Sequence, residues 1–143
     1  MKPLKICFLC TGNSCRSQMA EALARKHGGT RVDACSAGVE AHGLNPRAVH
    51  AMSEIGIDIS GQRSTLIADC DLHDMDYVIT LCGDAADRCP VTPASVTRLH
   101  WPFPDPARAQ GTEEQIRVAF ADARDALEER IAGFVREILD RTP

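Results

Sequence analysis

The chain has 143 residues, 44% of them hydrophobic and 25% charged, with a formal net charge of −4. This suits a single domain over 1–143 that buries most of its apolar surface, and the acidic balance excludes a broad basic face for nucleic acid. No apolar run approaches the ~20 residues needed to span a bilayer, and Met1-Lys2-Pro3 leads into a strand-like run with no leader pattern, so a cytoplasmic monomer is expected.

In chain order, Leu4–Leu9 reads as a buried strand and Met19 to about Lys26 as a helix, stopped by Gly28-Gly29. Val32–Ala37 is a short strand closed by Gly38. Asn45-Pro46 is an N-cap followed by proline at the first helical position, with Val49, Met52 and Ile55 as the helical stripe. Residues 60–75 are polar and acidic and read as a loop with at most a short helix. Tyr77–Leu81 is a second clear strand that runs into Cys82, and Val96–His100 is a weaker one. Cys82–Pro93 is rich in turn residues. Prolines 102, 104 and 106 make the following segment an extended loop. From Thr112 to about Asp140, apolar residues at 116, 120, 123, 127, 131, 134 and 138 give one long amphipathic helix. Strands alternating with helices predict an α/β domain with a four-stranded parallel sheet flanked by helices.

The first strand-to-helix turn carries the chemistry: Cys10-Thr11-Gly12-Asn13-Ser14-Cys15-Arg16-Ser17. Amides of a tight loop, with those of the following helix, form a concave anion site. Gly12 permits a sharp turn or close ligand approach. Arg16 offers a planar fork of donors for a tetrahedral oxyanion. Such surroundings favour the ionised, nucleophilic form of Cys10, and Ser17 is placed to donate a hydrogen bond to it. The bland alternative is an ordinary turn with a buried structural cysteine. Ligands of parallel sheets sit at the carboxyl ends of strands, and Cys82 ends a strand just as Cys10 does.

Seven cysteines (7, 10, 15, 35, 70, 82 and 89), an odd number, argue against a static disulfide framework and for metal or redox use. Cys7-x2-Cys10 has the spacing of half a zinc site, but Cys7 falls inside a strand. Cys82 and Cys89 read as a dithiol that can close after chemistry at Cys10. If a helix holds them apart it must partly unwind, because a disulfide requires Cα atoms within ~7 Å. The alternative is two incidental core residues. Cys7 and Cys35 are expected in the core, Cys15 turned away from the anion, and Cys70 exposed. His42, His50, His73 and His100 follow no shared pattern and read as surface or turn. Asp105-Pro106 places a carboxyl group in the proline-rich loop, either as a general acid or as a plain turn pair.

Together, Cys10 to Glu21, Ser36-Ala37-Gly38, Val78 to Cys82, Cys89-Pro90, His100-Trp101 and Asp105-Pro106 resemble the thioredoxin-coupled arsenate reductases, built on the low-molecular-weight protein tyrosine phosphatase fold. The likeness spans nearly the whole chain. It implies that Thr11, Gly12, Asn13, Ser14, Cys15 and Arg16 hold arsenate, that Cys10 attacks it, that Ser17 steadies the thiolate and that Asp105 protonates the departing oxygen. It implies a relay in which Cys82 attacks the adduct at Cys10, Cys89 then attacks Cys82, and thioredoxin reduces the final disulfide. No tightly bound cofactor is implied. Some members hold potassium with residues matching Asn13, Glu21 and Ser36 plus a carboxylate. Here Gln62-Arg63-Ser64-Thr65 supplies no acid, so no required metal is expected.

Two rivals remain. A low-molecular-weight protein tyrosine phosphatase would share Cys10, Arg16 and Asp105. It would not need Cys82 and Cys89, and Pro106-Ala107 offers no ring to stack on tyrosine. A non-catalytic metalloid-binding redox sensor would need neither the complete cradle nor Asp105.

Overall fold

The computed structural model describes residues 2–141, with only the backbone of Asp84; Met1, Thr142 and Pro143, the ends of the predicted domain, lie outside the described residues. Four parallel strands, β1 (Leu4–Cys10), β2 (Val32–Gly38), β3 (Tyr77–Thr80) and β4 (Thr97–His100), lie in the order β2-β1-β3-β4. The helices are α1 (Arg16–Gly28), α2 (Pro46–Ser53), α3 (Gly83–Arg88) and α4 (Glu113–Arg141). From β1 the chain passes to β2 on one side, then crosses to β3 on the other. The switch in direction opens a crevice at the carboxyl ends of β1 and β3, where such sheets place their ligands.

Alternation along β1 divides the core. Ile6, Phe8 and Cys10 face a large apolar cluster with Met19 and Leu23 of α1 and Phe120, Leu127 and Ile131 of α4. Cys7 and Leu9 face a smaller one with Ala37, Val78, Ile67 and Leu72. The second layer is thin: α3 and single turns of 3-10 helix at Ile67–Asp69 and Leu72–Asp74 supply it. Those turns stand in the segment read as loop. Within the last turns of α4 the predicted Ile131 and Ile138 are buried, and between them Val135 is buried in place of the predicted Phe134. Phe134 instead meets Trp101 edge-on at 5.0 Å and Tyr77 at 5.2 Å. Asn45 caps α2 as expected, its side chain accepting from the Arg47 N–H at 2.8 Å. Among the described residues no helix is long and apolar enough to cross a membrane.

Candidate active site

The loop after β1 is fixed by a strap, residues 39–45, that takes up its carbonyls. Val39, Glu40, His42 and Asn45 donate backbone N–H bonds to the carbonyls of Cys10, Thr11, Gly12 and Ser14 at 2.8–3.2 Å. The Asn13 carbonyl accepts from the Gln18 amide and the Ser64 hydroxyl. In a trans peptide the N–H points opposite the C=O. The N–H groups of Thr11, Gly12, Ser14 and Cys15 are therefore turned away from these donors. All four residues line a cleft of ≈ 660 Å³ with Cys10 and Arg16. The loop backbone and Arg16 thus share one concave space, the shape a cradle needs, whereas Asn13, expected among the oxyanion-binding residues, is fully buried and is not among those lining it.

Asn13 holds the cradle in shape from within. It is fully buried and adopts φ 47°, a left-handed conformation that asparagine tolerates better than most residues. Its side-chain amide donates to Ser17 Oγ at 2.8 Å and to Ser36 Oγ at 2.9 Å, and Ser36 donates to Glu21 Oε1 at 2.7 Å. Cys10 Sγ lies 2.8 Å from Ser17 Oγ. With the serine oxygen already accepting from Asn13, its proton is free for the sulfur. The chain of donors thus runs from Asn13 through Ser17 toward the Cys10 sulfur. Gly38 borders the loop so closely that a Cβ there would lie 2.5–2.8 Å from Glu40 O, Asn13 N and Thr11 O.

The matches to the potassium-binding positions are consumed by this network. Asn13 Oδ1 accepts from the Thr65 N–H at 2.7 Å and from the Gln18 amide at 3.2 Å. Gln62, in place of an acid, donates to Gln18 Oε1 at 2.7 Å. Glu21 pairs with Arg25 at 2.7 Å. Internal donors thus already engage Asn13 Oδ1, Ser36 Oγ and both Glu21 oxygens, and residues 62–65 add no carboxylate to them. Cys7 and Cys10, with their zinc-like spacing, point to opposite faces of the sheet.

Arg16 is buried and opens α1. Its Nη1 donates to the Phe103 carbonyl at 2.9 Å, and its Nη2 lies 3.7 Å from Asp105 Oδ2. The proline-rich loop is placed by its aromatic residues. Trp101 and Phe103 donate backbone bonds to Thr80 and Leu81, and the Trp101 ring lies between Phe134 and the Arg130 guanidinium, 4.9 Å from its centroid. Asp105 then rims the cleft, its Oδ1 capping the turn at Pro106–Arg108 by accepting from Ala107 N–H at 3.0 Å. The turn reading and the acid reading of Asp105 are compatible: one oxygen caps, the other faces Arg16.

Cys82 lines the same cleft. Its sulfur lies 3.2 Å from Thr11 Oγ1 and accepts from Ala85 N–H at 3.4 Å as the N-cap of α3. Cys89 follows α3, half-buried and away from the cleft, and all seven cysteines are free thiols. The segment read as turns holds this short helix. The seven residue steps from Cys82 to Cys89, taken at the helical rise, span about 10 Å, beyond the ~7 Å a disulfide allows, so pairing them requires α3 to unwind. Burial pushes the Cys89 thiol up, partly offset by Arg98.

Cys15 borders the cleft while its side chain belongs to the large apolar cluster; burial and the Asp105 charge push its thiol up to about 12, which keeps it protonated and unreactive. One expectation needs correction: Cys70 is half-buried against the smaller apolar cluster rather than exposed. Sequence reasoning also missed His42, whose ring packs over Gly12 at the cleft and pairs with Glu40 at 3.1 Å. Only the strap pairing that brings it there could have revealed it.

The comparisons agree with this geometry. Residues 5–142 match the family model described as low molecular weight phosphotyrosine protein phosphatase. An arsenate reductase of Bacillus licheniformis is 60% identical over 134 residues, covering 94% of this chain and 96% of that protein. A solved arsenate reductase in its oxidized state superposes with TM-score 0.80 at 34% identity, covering 96% of this chain and 99% of the other. A thioredoxin-dependent arsenate reductase of Corynebacterium glutamicum gives 0.68 at 28%, covering 97% and 62%. The chain belongs to the low molecular weight phosphotyrosine protein phosphatase family, and within it stands beside the arsenate reductases.

Proposed function

We propose that this chain reduces arsenate to arsenite through a Cys10–Cys82–Cys89 relay recharged by thioredoxin. The observation that carries the reading is a second sulfur, Cys82, at the mouth of an oxyanion cradle whose floor is Cys10. Phosphate ester hydrolysis needs the cradle and the nucleophile but has no use for that sulfur.

The amides of the loop and the Arg16 fork hold arsenate over the Cys10 thiolate. Cys10 forms a sulfur–arsenic bond, and Asp105 passes a proton to the departing oxygen, which leaves as water. Cys82 then attacks the Cys10 sulfur. The electron pair of the broken sulfur–arsenic bond stays on arsenic, which becomes trivalent and leaves as arsenite. Cys89 attacks Cys82 and frees Cys10, and two electrons from the thioredoxin dithiol reduce the Cys82–Cys89 disulfide. Unwinding of α3 both brings Cys89 to Cys82 and exposes their disulfide to the reductant.

The test is arsenate-dependent NADPH oxidation through thioredoxin and its reductase, beside a phosphoester substrate. Sustained oxidation with arsenate, and phosphate release that is slow by comparison, is the expected result. Rapid phosphoester turnover without arsenate reduction would make the chain a phosphatase. The same Cys10, Arg16 and Asp105 support slow phosphoester hydrolysis as a side reaction, with water in place of Cys82.

A further inference from the structure

The strap beside the loop holds Gly12 from both sides. Glu40 N–H donates to the Thr11 carbonyl at 2.8 Å, and His42 N–H to the Gly12 carbonyl at 2.9 Å. These carbonyls belong to the two peptides that flank the Gly12 Cα, and the first of those peptides carries the Gly12 N–H. Gly43, with φ 82°, then turns the strap in a left-handed conformation that favours glycine. The side chains of the same two strap residues meet, with His42 Nε2 3.1 Å from Glu40 Oε1. The imidazole covers Gly12 so closely that a Cβ there would stand 2.4 Å from Nδ1 and 2.9 Å from Cγ. Gly12 lies outside the positive-φ region, so the ring, rather than the backbone conformation, excludes a side chain at this position. Gly12 and His42 both line the cleft. The His42 and Glu40 side chains are 56% and 58% exposed, so they add little to the core by burial; what they hold is the loop.

We propose that His42 is a positioning residue for the oxyanion: its ring, held by Glu40, clamps Gly12 so that the Gly12 N–H stays aimed into the cleft. Glycine has the largest backbone freedom of any residue, and an oxyanion donor works only when it is in place before the charge arrives. The two carbonyl bonds from the strap set the peptide planes on either side of Gly12. The Cα between them is a hinge with no side chain to stop it. The ring occupies the side of Gly12 where a side chain would lie and so restricts that hinge. A carboxylate only accepts, so Nε2 carries a proton and Glu40 fixes the orientation of the ring. That carboxylate stands close to an anion site, where by charge alone it opposes binding; its hold on the ring outweighs that effect. The inference rests on the oxyanion-cradle reading and not on the arsenic chemistry that follows binding.

The test uses inorganic phosphate, a tetrahedral anion that the thiol relay does not consume, titrated into the reduced full-length chain by calorimetry. His42→Ala keeps the backbone donors of the strap and removes the ring. Phosphate Kd should rise by about tenfold, as for loss of one well-aimed donor to a charged group, with the urea midpoint little changed. In turnover the arsenate KM should rise by a similar factor while kcat stays within about twofold, the signature of binding lost equally from ground and transition states. Glu40 gives the sharper outcome, and serves alone where His42→Ala does not fold. Glu40→Ala should weaken phosphate binding about threefold, the scale of one surface ion pair, although removing its charge alone would tighten it. Glu40→Gln, whose amide oxygen still accepts from Nε2–H, should not weaken binding. Unchanged phosphate affinity in His42→Ala, or unchanged or tighter binding in Glu40→Ala, would overturn the clamp. A chain whose variants bind phosphate as expected yet which reduces no arsenate overturns only the reductase reading; one that reduces arsenate with His42→Ala indistinguishable from the unaltered chain overturns only this one.

Discussion

The cradle at Cys10–Ser17 and the relay segment at Cys82–Pro93 both begin at the carboxyl end of a strand, but they are held very differently. In the cradle, five carbonyls are taken up by donors from outside the loop, Asn13 and Ser17 are fully buried, and the nucleophile has a directed chain of hydrogen bonds beneath it. In the relay segment, a six-residue helix is tied mainly by Cys82 at its start and by Ala85 packed beneath it. The difference suits the tasks proposed for the two regions. An oxyanion cradle works only if its donors are in place before the charge arrives. A dithiol that must first approach one sulfur and then another works only if its backbone yields at low cost.

The strongest challenge to that contrast is Cys10→Ser. It should remove both the first turnover and the steady state, by on the order of a thousandfold or more in kcat; substantial residual reduction in a rapid-quench assay would deprive the cradle of its nucleophile. Cys89→Ser separates the two regions cleanly. The first arsenate should be reduced at the normal rate, followed by a stall with Cys10 and Cys82 joined, seen by non-reducing peptide mapping; continued turnover with thioredoxin would remove Cys89 from the relay. Asp105→Asn should lower kcat by about a hundredfold with little change in KM, as loss of a general acid requires. An unchanged kcat would leave Asp105 as a turn cap only. Gly38→Ala probes rigidity itself. The added methyl meets backbone atoms on three sides, so a loss of about 1–3 kcal/mol is expected in urea denaturation, with the arsenate KM raised; full stability would show that the strap gives way more easily than its hydrogen bonds imply.

The parts legible in the sequence were those governed by local rules. Cys10 to Ser17 announce a strand-to-helix loop at the mouth of a cleft by composition and spacing, and the alternation in β1, the Asn45-Pro46 cap and the α4 stripe are local signals too. What escaped was set by tertiary contact. The helix α3 is only six residues long, with Gly83 at its start, too short for a period to register. His42 reaches the cleft through backbone pairing between strap and loop, which leaves no trace in side-chain pattern.

The aromatic contact behind the proline-rich loop reaches beyond packing. Trp101 rests on Phe134 and Arg130, two residues of α4 remote from the cleft, while the four residues that follow it carry Asp105 to Arg16. The reach of Asp105, the proton donor proposed above, is therefore set from the rear of the molecule. Sequence drift on one face of the final helix can retune the timing of the chemistry while every residue that meets the oxyanion stays as it is.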